Sequence, residues 1–326
     1  MTELMKTILL TNKYSGAPLQ IVQSEVPEGF EISFLSEQTQ DALLREAAAV
    51  DYILAGGRLK ITREVLENAK KLRMIQRSGV GLDALDLDAM QERGVPLYVN
   101  QGVNAESVAE HTLLLMLSCL RRLPTINRNT KNGVWKKQEQ GVRTFELKGK
   151  TVGIIGMGNI AKTLVSLLKP FHATILYYNR TRQSPAFEAE NNMRFVGMDE
   201  LLKHADIVTV HCALTPETRS LINADSIREM KDGAILINTA RGQIVDPDAL
   251  ADALQSGKLA YAALDVHTTE PIPEDYPLKN IDNVILTPHI AGVTADSFRA
   301  MMHDAFRNIA CFENGDMQTI APYRYL

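Results

Sequence analysis

Residues 151–161 read Thr151-Val152-Gly153-Ile154-Ile155-Gly156-Met157-Gly158-Asn159-Ile160-Ala161. A short apolar, β-branched run leads into a turn with two glycines and then into a helical pattern. That is the order of a buried strand handing over to a helix. Gly156 permits the tight turn, Gly158 lets backbone approach a pyrophosphate, and the small Ala161 packs helix against strand. The first turn of such a helix carries unbonded N–H groups and a partial positive charge, both suited to phosphate. Gly156, Gly158, Asn159 and Ile160 are therefore expected to line a dinucleotide. Two glycines near a helix are often only a turn. Here a preceding strand and a following strand that ends at Asn179 supply the required context.

The alternation extends in both directions from this stretch. Downstream, strands are expected over 151–155, 174–178, 206–211, 234–239, 260–266 and 283–287, with helices over 160–168, 199–204, 226–231 and 247–256. Upstream, strand patterns fall at 7–11, 31–35, 51–54, 74–77 and 96–99, and helical ones at 62–72 and 85–93. A long helical pattern over 105–123, with Asn104 as its cap and Pro124 as its stop, separates the two series. A polar stretch holding the single Trp follows it, and 294–314 reads as a terminal helix. Strands alternating with helices imply parallel sheets covered on both faces. The expected class is α/β, with two doubly wound, Rossmann-like units in series.

Length and composition agree. At ~100–200 residues per domain, 326 residues favour two domains. With 35 Lys+Arg against 39 Asp+Glu the net charge is -4, which offers no broad field for nucleic acid or an anionic membrane. Three dispersed cysteines (Cys119, Cys212, Cys311) form neither a disulfide framework nor a zinc pattern, and the histidines show no ligand spacing, so no metal is expected. The apolar run at 113–120 contains Ser118 and is closed by Arg121-Arg122, short of the ~20 residues a membrane helix needs. Residues 1–11 hold only Ile8-Leu9-Leu10, too brief for a signal peptide. A cytoplasmic location is expected.

The strand that ends at Asn179 should reach the adenosine ribose, where an acidic residue would bond the 2′-hydroxyl of NAD. This chain has Asn179-Arg180-Thr181-Arg182 instead, neutral and then doubly basic. Arginine there accommodates a 2′-phosphate. NADP is expected in preference to NAD, with Asn179, Arg180 and Thr181 at the ribose. Farther on, Arg241, Glu270 and His289 each fall at or just past the carboxyl end of an expected strand, where α/β sheets bind ligands. Singly, each reads as readily as a surface ion pair, a loop carboxylate or a core histidine. After a dinucleotide turn, a cation, a carboxylate and an imidazole suit an anionic substrate that exchanges a proton.

These motifs, together with Ser78-Gly79-Val80-Gly81, Val108-Ala109-Glu110-His111, the 146–158 stretch, 214–219, Leu264-Asp265, Glu270-Pro271 and Pro288-His289, resemble the D-isomer-specific 2-hydroxyacid dehydrogenase family. The resemblance runs from about residue 75 to 292; the first 70 residues match only in rhythm. It implies Arg241, Glu270 and His289 as the catalytic trio, and Asp265 as the partner of the nicotinamide carboxamide. It places Thr239, Ala240 and Gly292 in the cofactor site, and assigns Val80 and Gly81, with Arg241, to the substrate carboxylate. It also implies a flavodoxin-like substrate domain from both chain ends (1–103 and 290–326), an inserted NAD(P)-binding domain (104–289), and a homodimer joined near the helix after Asn104. Two departures stand out: Val99-Asn100-Gln101-Gly102 where the family often has Asn-x-Pro-Gly, and Asn179 in place of an acid. With the sequence ending at Leu326, the regulatory extension of longer phosphoglycerate dehydrogenases is not expected.

The expected activity is reversible reduction of a small 2-oxo acid to its D-2-hydroxy acid. Arg241 would bind the carboxylate and polarise the carbonyl, His289 would exchange the proton, and Glu270 would orient the imidazole and favour its charged form. The alternative from another class is a dinucleotide-sensing corepressor of the same fold. A formate dehydrogenase-like reading is weaker, because a Glu–His pair fits carbonyl chemistry that needs a proton. The substrate's side chain stays open.

Overall fold

The computed structural model describes residues 5–57 and 59–326; residues 1–4, the start of the expected substrate domain, and Arg58 lie outside it. The chain divides into two compact units, one formed by the residues through Asn104 with Val293–Leu326, the other by Ala105–Gly292.

The first unit carries five parallel strands: β1 (Lys6–Leu10), β2 (Phe30–Phe34), β3 (Tyr52–Ala55), β4 (Met74–Arg77) and β5 (Leu97–Val99). Their order, β2-β1-β3-β4-β5, is the flavodoxin-like one. Side chains alternate across the sheet, so Leu9 and Ile53 enter one core while Ile8, Leu10, Tyr52 and Leu54 enter the other. That second core is closed by Phe298, Met302, Ala305, Phe306 and Ile309 of the helix Ala295–Glu313. Thr294 and Ser297 start this helix with a reciprocal capping box. A buried polar group ties it to the sheet. Asn308 Nδ2 donates to Gln76 Oε1 (3.3 Å), Gln76 Nε2 to Asn100 Oδ1 (2.9 Å), and Asn100 Nδ2 to the Met301 carbonyl (2.7 Å).

The second unit carries seven parallel strands: β6 (Thr151–Ile155), β7 (Thr174–Tyr178), β8 (Met193–Phe195), β9 (Ile207–Val210), β10 (Ala234–Asn238), β11 (Leu259–Leu264) and β12 (Val284–Leu286). The order β12-β11-β10-β9-β6-β7-β8 reverses direction beside β6, the topological switch point of a dinucleotide-binding sheet. Gly153 matters here, because a Cβ on it would lie 2.6 Å from Leu201 Cδ2; helix Met198–His204 rests directly on the strand.

The differences from expectation are local. β8 has three residues, too few for a period to show. The helix expected over 105–123 ends at Leu120, because Arg122 takes a left-handed conformation (φ 50°). Pro124 does not stop it but sits in the first turn of the next helix, Leu123–Lys131, where a missing N–H costs nothing. No helix among the described residues is long and apolar enough to cross a membrane.

Candidate active site

All seven strands of the second unit are parallel, so the turns after β6, β7, β9, β10, β11 and β12 share one edge of the sheet. After β6, Gly156 has φ 94°, and a Cβ there would lie 2.6 Å from the Cys212 amide nitrogen. Only glycine suits that turn. A Cβ on Gly158 would meet nothing within 4 Å, so space stands open over the N-terminus of the helix Asn159–Leu168, whose first turn has no side-chain cap. Open space above unbonded amides is what a pyrophosphate requires, and the residues present fit a dinucleotide. Loss of solvation pushes the His211 imidazole beside this turn down to about 4, and burial raises the Cys212 thiol. Both are neutral near pH 7.

After β7, Asn179 Oδ1 accepts from the Met157 amide (3.2 Å) while its Nδ2 donates to the Thr181 carbonyl (2.8 Å). The amide thus ties the glycine turn to the basic turn. Arg180 and Thr181 are exposed. Arg182 is not presented as the sequence suggests: Nε and Nη2 both donate to the Glu188 carboxylate, at 2.8 and 2.7 Å.

After β10, the buried Asn238 shapes the turn by accepting from the Ala240 amide (3.0 Å) and donating to the Arg241 carbonyl (2.9 Å). Thr239 Oγ1 lies 3.1 Å from Thr112 Oγ1, whose own proton goes to the Val108 carbonyl, so Thr239 is the donor. Arg241 Nη1 donates to the Ala240 carbonyl (2.7 Å). After β11 comes Asp265, fully buried. Its Oδ1 accepts from Thr287 Oγ1 (2.5 Å) and the Ile290 amide (2.9 Å), and its Oδ2 from the Ala291 amide (2.8 Å). The His289 amide donates to the Asp265 carbonyl (2.7 Å). His289 has φ 57°, a left-handed conformation that costs about 1 kcal/mol or more for a residue with a Cβ and persists where its surroundings impose it. Asp265 imposes it here.

His289 Nδ1 lies 3.0 Å from Glu270 Oε2, and Glu270 Oε1 accepts from the His267 amide (3.0 Å). The imidazole is half-exposed while the carboxylate is largely covered. A nitrogen held by a carboxylate with the opposite nitrogen, Nε2, turned away from that bond is an arrangement for passing one proton. Sequence reasoning brought Arg241, Glu270 and His289 to this edge, along with Thr239, Ala240, Asp265 and Gly292. It missed the supports. His267 Nε2 reaches the Thr287 carbonyl (2.9 Å), Ser107 Oγ donates to the Ala291 carbonyl (2.8 Å), and His111 Nε2 stands 3.3 Å from Thr287 Oγ1. The one available signal was the Ser107–His111 stretch, whose polar residues interrupt an apolar helix face. Val80 and Gly81 belong to the first unit, in the turn after β4, where Arg77 Nε donates to the Gly81 carbonyl (2.8 Å). Asn100 supports the same turn by donating to the Ser78 carbonyl (3.2 Å), which is the role of the residue in the Val99–Gly102 departure.

A sheet of this order with this turn at its switch point defines a dinucleotide-binding unit. Residues 113–291 match the family model described as "D-isomer specific 2-hydroxyacid dehydrogenase, NAD binding domain", and the chain belongs to that family. It is similar to the glyoxylate reductase of Thermofilum pendens, 39% identical over 281 residues, 86% of this chain and 83% of the relative. It is 37% identical to the D-3-phosphoglycerate dehydrogenase of Archaeoglobus fulgidus over 82% of this chain, and spans about half (50%) of that longer protein. Among solved structures, D-lactate dehydrogenase from Aquifex aeolicus, complexed with NAD and lactic acid, superposes with a TM-score of 0.84 at 28% identity, covering 98% of each chain.

Proposed function

We propose that this chain reduces a small 2-oxo acid, of the glyoxylate or hydroxypyruvate kind, to its D-2-hydroxy acid, reversibly and with NADPH preferred to NADH. The observation that carries the reading is the 3.0 Å contact between His289 Nδ1 and Glu270 Oε2 on the edge that holds the dinucleotide turn. A nicotinamide cofactor held over the Gly156–Ile160 turn would supply hydride chemistry to the substrate carbonyl. His289 Nε2 delivers the proton that the carbonyl oxygen takes up, and recovers it in oxidation. Glu270 accepts the opposite N–H, which fixes the ring with Nε2 toward the substrate. Arg241 holds the substrate carboxylate and stabilises negative charge on the oxygen. Asp265 keeps the role of partner to the carboxamide. Names of relatives support the substrate class, glyoxylate reductase and hydroxypyruvate reductase among them.

Arg180 supports the NADPH reading, since the ribose-facing turn lacks the carboxylate that would repel a phosphate. Exposed apolar side chains on 123–145 support a homodimer: Trp135 is 82% exposed and Val142 78%, and the helices Leu123–Lys131 and Lys137–Gly141 bury no residue of their own. Oxidation of NADPH and of NADH by the pure protein, across a panel of 2-oxo acids, tests the reading. Binding of either cofactor without turnover of any acid would favour the corepressor alternative. Sedimentation of the wild type and of Trp135→Asp tests the dimer.

A further inference from the structure

The turn after β7 carries two arginines, and the structure treats them differently. Arg182 is drawn toward β8. Its Nε and Nη2 donate to the two oxygens of Glu188, at 2.8 and 2.7 Å, and its guanidinium carbon lies 5.8 Å from the centre of the Phe195 ring on that strand. Glu188 is buried, on the helix Pro185–Glu190, and also accepts from Tyr177 OH at 2.6 Å. Tyr177 OH in turn accepts from the Gln183 amide (2.9 Å), so this clamp is joined to the backbone of the turn. Together the arginine and tyrosine hold the Glu188 carboxyl well below its ordinary range, at about 2. Arg180, two residues before Arg182, is exposed just past the end of β7, and β7 adjoins β6 with its glycine turn.

We propose that Glu188 is a specificity-determining residue of the dinucleotide site: by neutralising Arg182 and holding it against Phe195, it leaves Arg180 as the cation that meets a 2′-phosphate. The inference rests on the cofactor reading above. A bidentate arginine–carboxylate pair has no net charge and has spent the fork that matches a phosphate. Phosphate discrimination is therefore held below what two arginines in one turn would give. Glu188 is a positional filter on the cofactor, and the carboxylate absent from position 179 has a counterpart nine residues later acting through Arg182.

The test is the ratio of kcat/KM for NADPH to that for NADH, with one 2-oxo acid, in the wild type and three variants. Glu188→Gln releases Arg182 and should raise the ratio by about fivefold, the scale of one partly exposed charge pair. Arg182→Ala uncovers the Glu188 carboxylate and should lower the ratio by a similar factor. The double variant Arg182→Ala/Glu188→Gln removes a neutral pair and should return to within about twofold of wild type, closing a charge cycle. A ratio that is unchanged or lower in Glu188→Gln overturns the proposal, as does a double variant that falls as far as Arg182→Ala. Should Glu188→Gln not fold, the comparison of Arg182→Ala with the double variant decides alone. A wild type that prefers NADH would sink the cofactor reading, while a rise in Glu188→Gln would still uphold the clamp, so the two failures are distinguishable.

Discussion

Gly242 and His267 stand so close that a Cβ on Gly242 would lie 2.0 Å from the His267 carbonyl carbon and 2.2 Å from its oxygen. The turn after β10 therefore rests backbone to backbone on the turn after β11, and Arg241 and Glu270 take their places from that contact. Gly242→Ala should force the two turns apart. Overpacking of this kind costs about 1–3 kcal/mol, so a lower Tm is expected together with a drop in kcat. Thermal melting and steady-state kinetics on the variant check this, and an alanine variant with wild-type values for both would show that the turns can separate harmlessly.

The Glu270–His289 contact makes a prediction about orientation. Glu270 Oε2 lies 3.0 Å from His289 Nδ1 while Oε1 accepts from the His267 amide, so the carboxylate fixes the ring that carries Nε2. Glu270→Ala removes that partner and should lower kcat in both directions by at least about tenfold, the scale of one lost hydrogen bond to a charged group. Cofactor binding should change little. Steady-state kinetics in both directions measure it, and an alanine variant with wild-type kcat counts against the pair.

His289→Ala should lower kcat for reduction by ~10²–10⁴-fold, the usual worth of a general acid, with cofactor binding little changed. Arg241→Ala should act mainly on the acid, raising its KM as well as lowering kcat. Cofactor titration by nicotinamide fluorescence separates the two effects. A loss under about tenfold in His289→Ala would leave the proton to some other group.

Asp265→Asn tests the support beneath His289. The carboxylate accepts from Thr287 Oγ1 and from the Ile290 and Ala291 amides, and an amide NH2 cannot accept. A buried donor left without its acceptor costs about 1–3 kcal/mol. We expect a lower Tm and a fall in kcat of at least about tenfold, because the left-handed His289 loses part of what imposes it. Retained kcat with a lowered Tm would confine Asp265 to stability.

Acid should open the Arg182–Glu188 clamp. Hydrogen bonds from Arg182, then Tyr177, lower the Glu188 carboxyl from 4.5 to about 2. A carboxyl depressed in the folded state adds stability above its unfolded value and loses it as pH falls toward the folded one. The Tm advantage of wild type over Glu188→Gln should therefore be full above about pH 4.5 and shrink toward pH 2. Melting curves across that interval are the measurement.

The parts of the site legible in the sequence were those made by a strand and the residue just beyond it. The glycine turn at 156–158, the Arg241 segment and the Glu270–His289 segments all lie where a β-branched run ends, and a parallel sheet brings such ends to one edge whatever else the chain does. The supports were not legible. His267, Ser107 and His111 reach the His289 loop from other elements, and nothing in their local spacing states which carbonyl or hydroxyl each one meets. The basic turn shows the same limit. Arg180 and Arg182 are equivalent in a string of letters, and they diverge only because helix Pro185–Glu190 carries Glu188 to one of them.

By itself, then, the sequence determined the α/β class, the parallel alternation, the dinucleotide turn and the strand-end placement of Arg241, Glu270 and His289, because each follows from local periodicity and from which residues a tight turn tolerates. Only the tertiary structure decided the sheet order around β6, the grip of Asp265 on the 287–291 loop, and the capture of Arg182. Those depend on contacts between residues distant along the chain. Such contacts are chosen by burial and by hydrogen-bond satisfaction in the folded core, and neither quantity is a property of a neighbouring few residues.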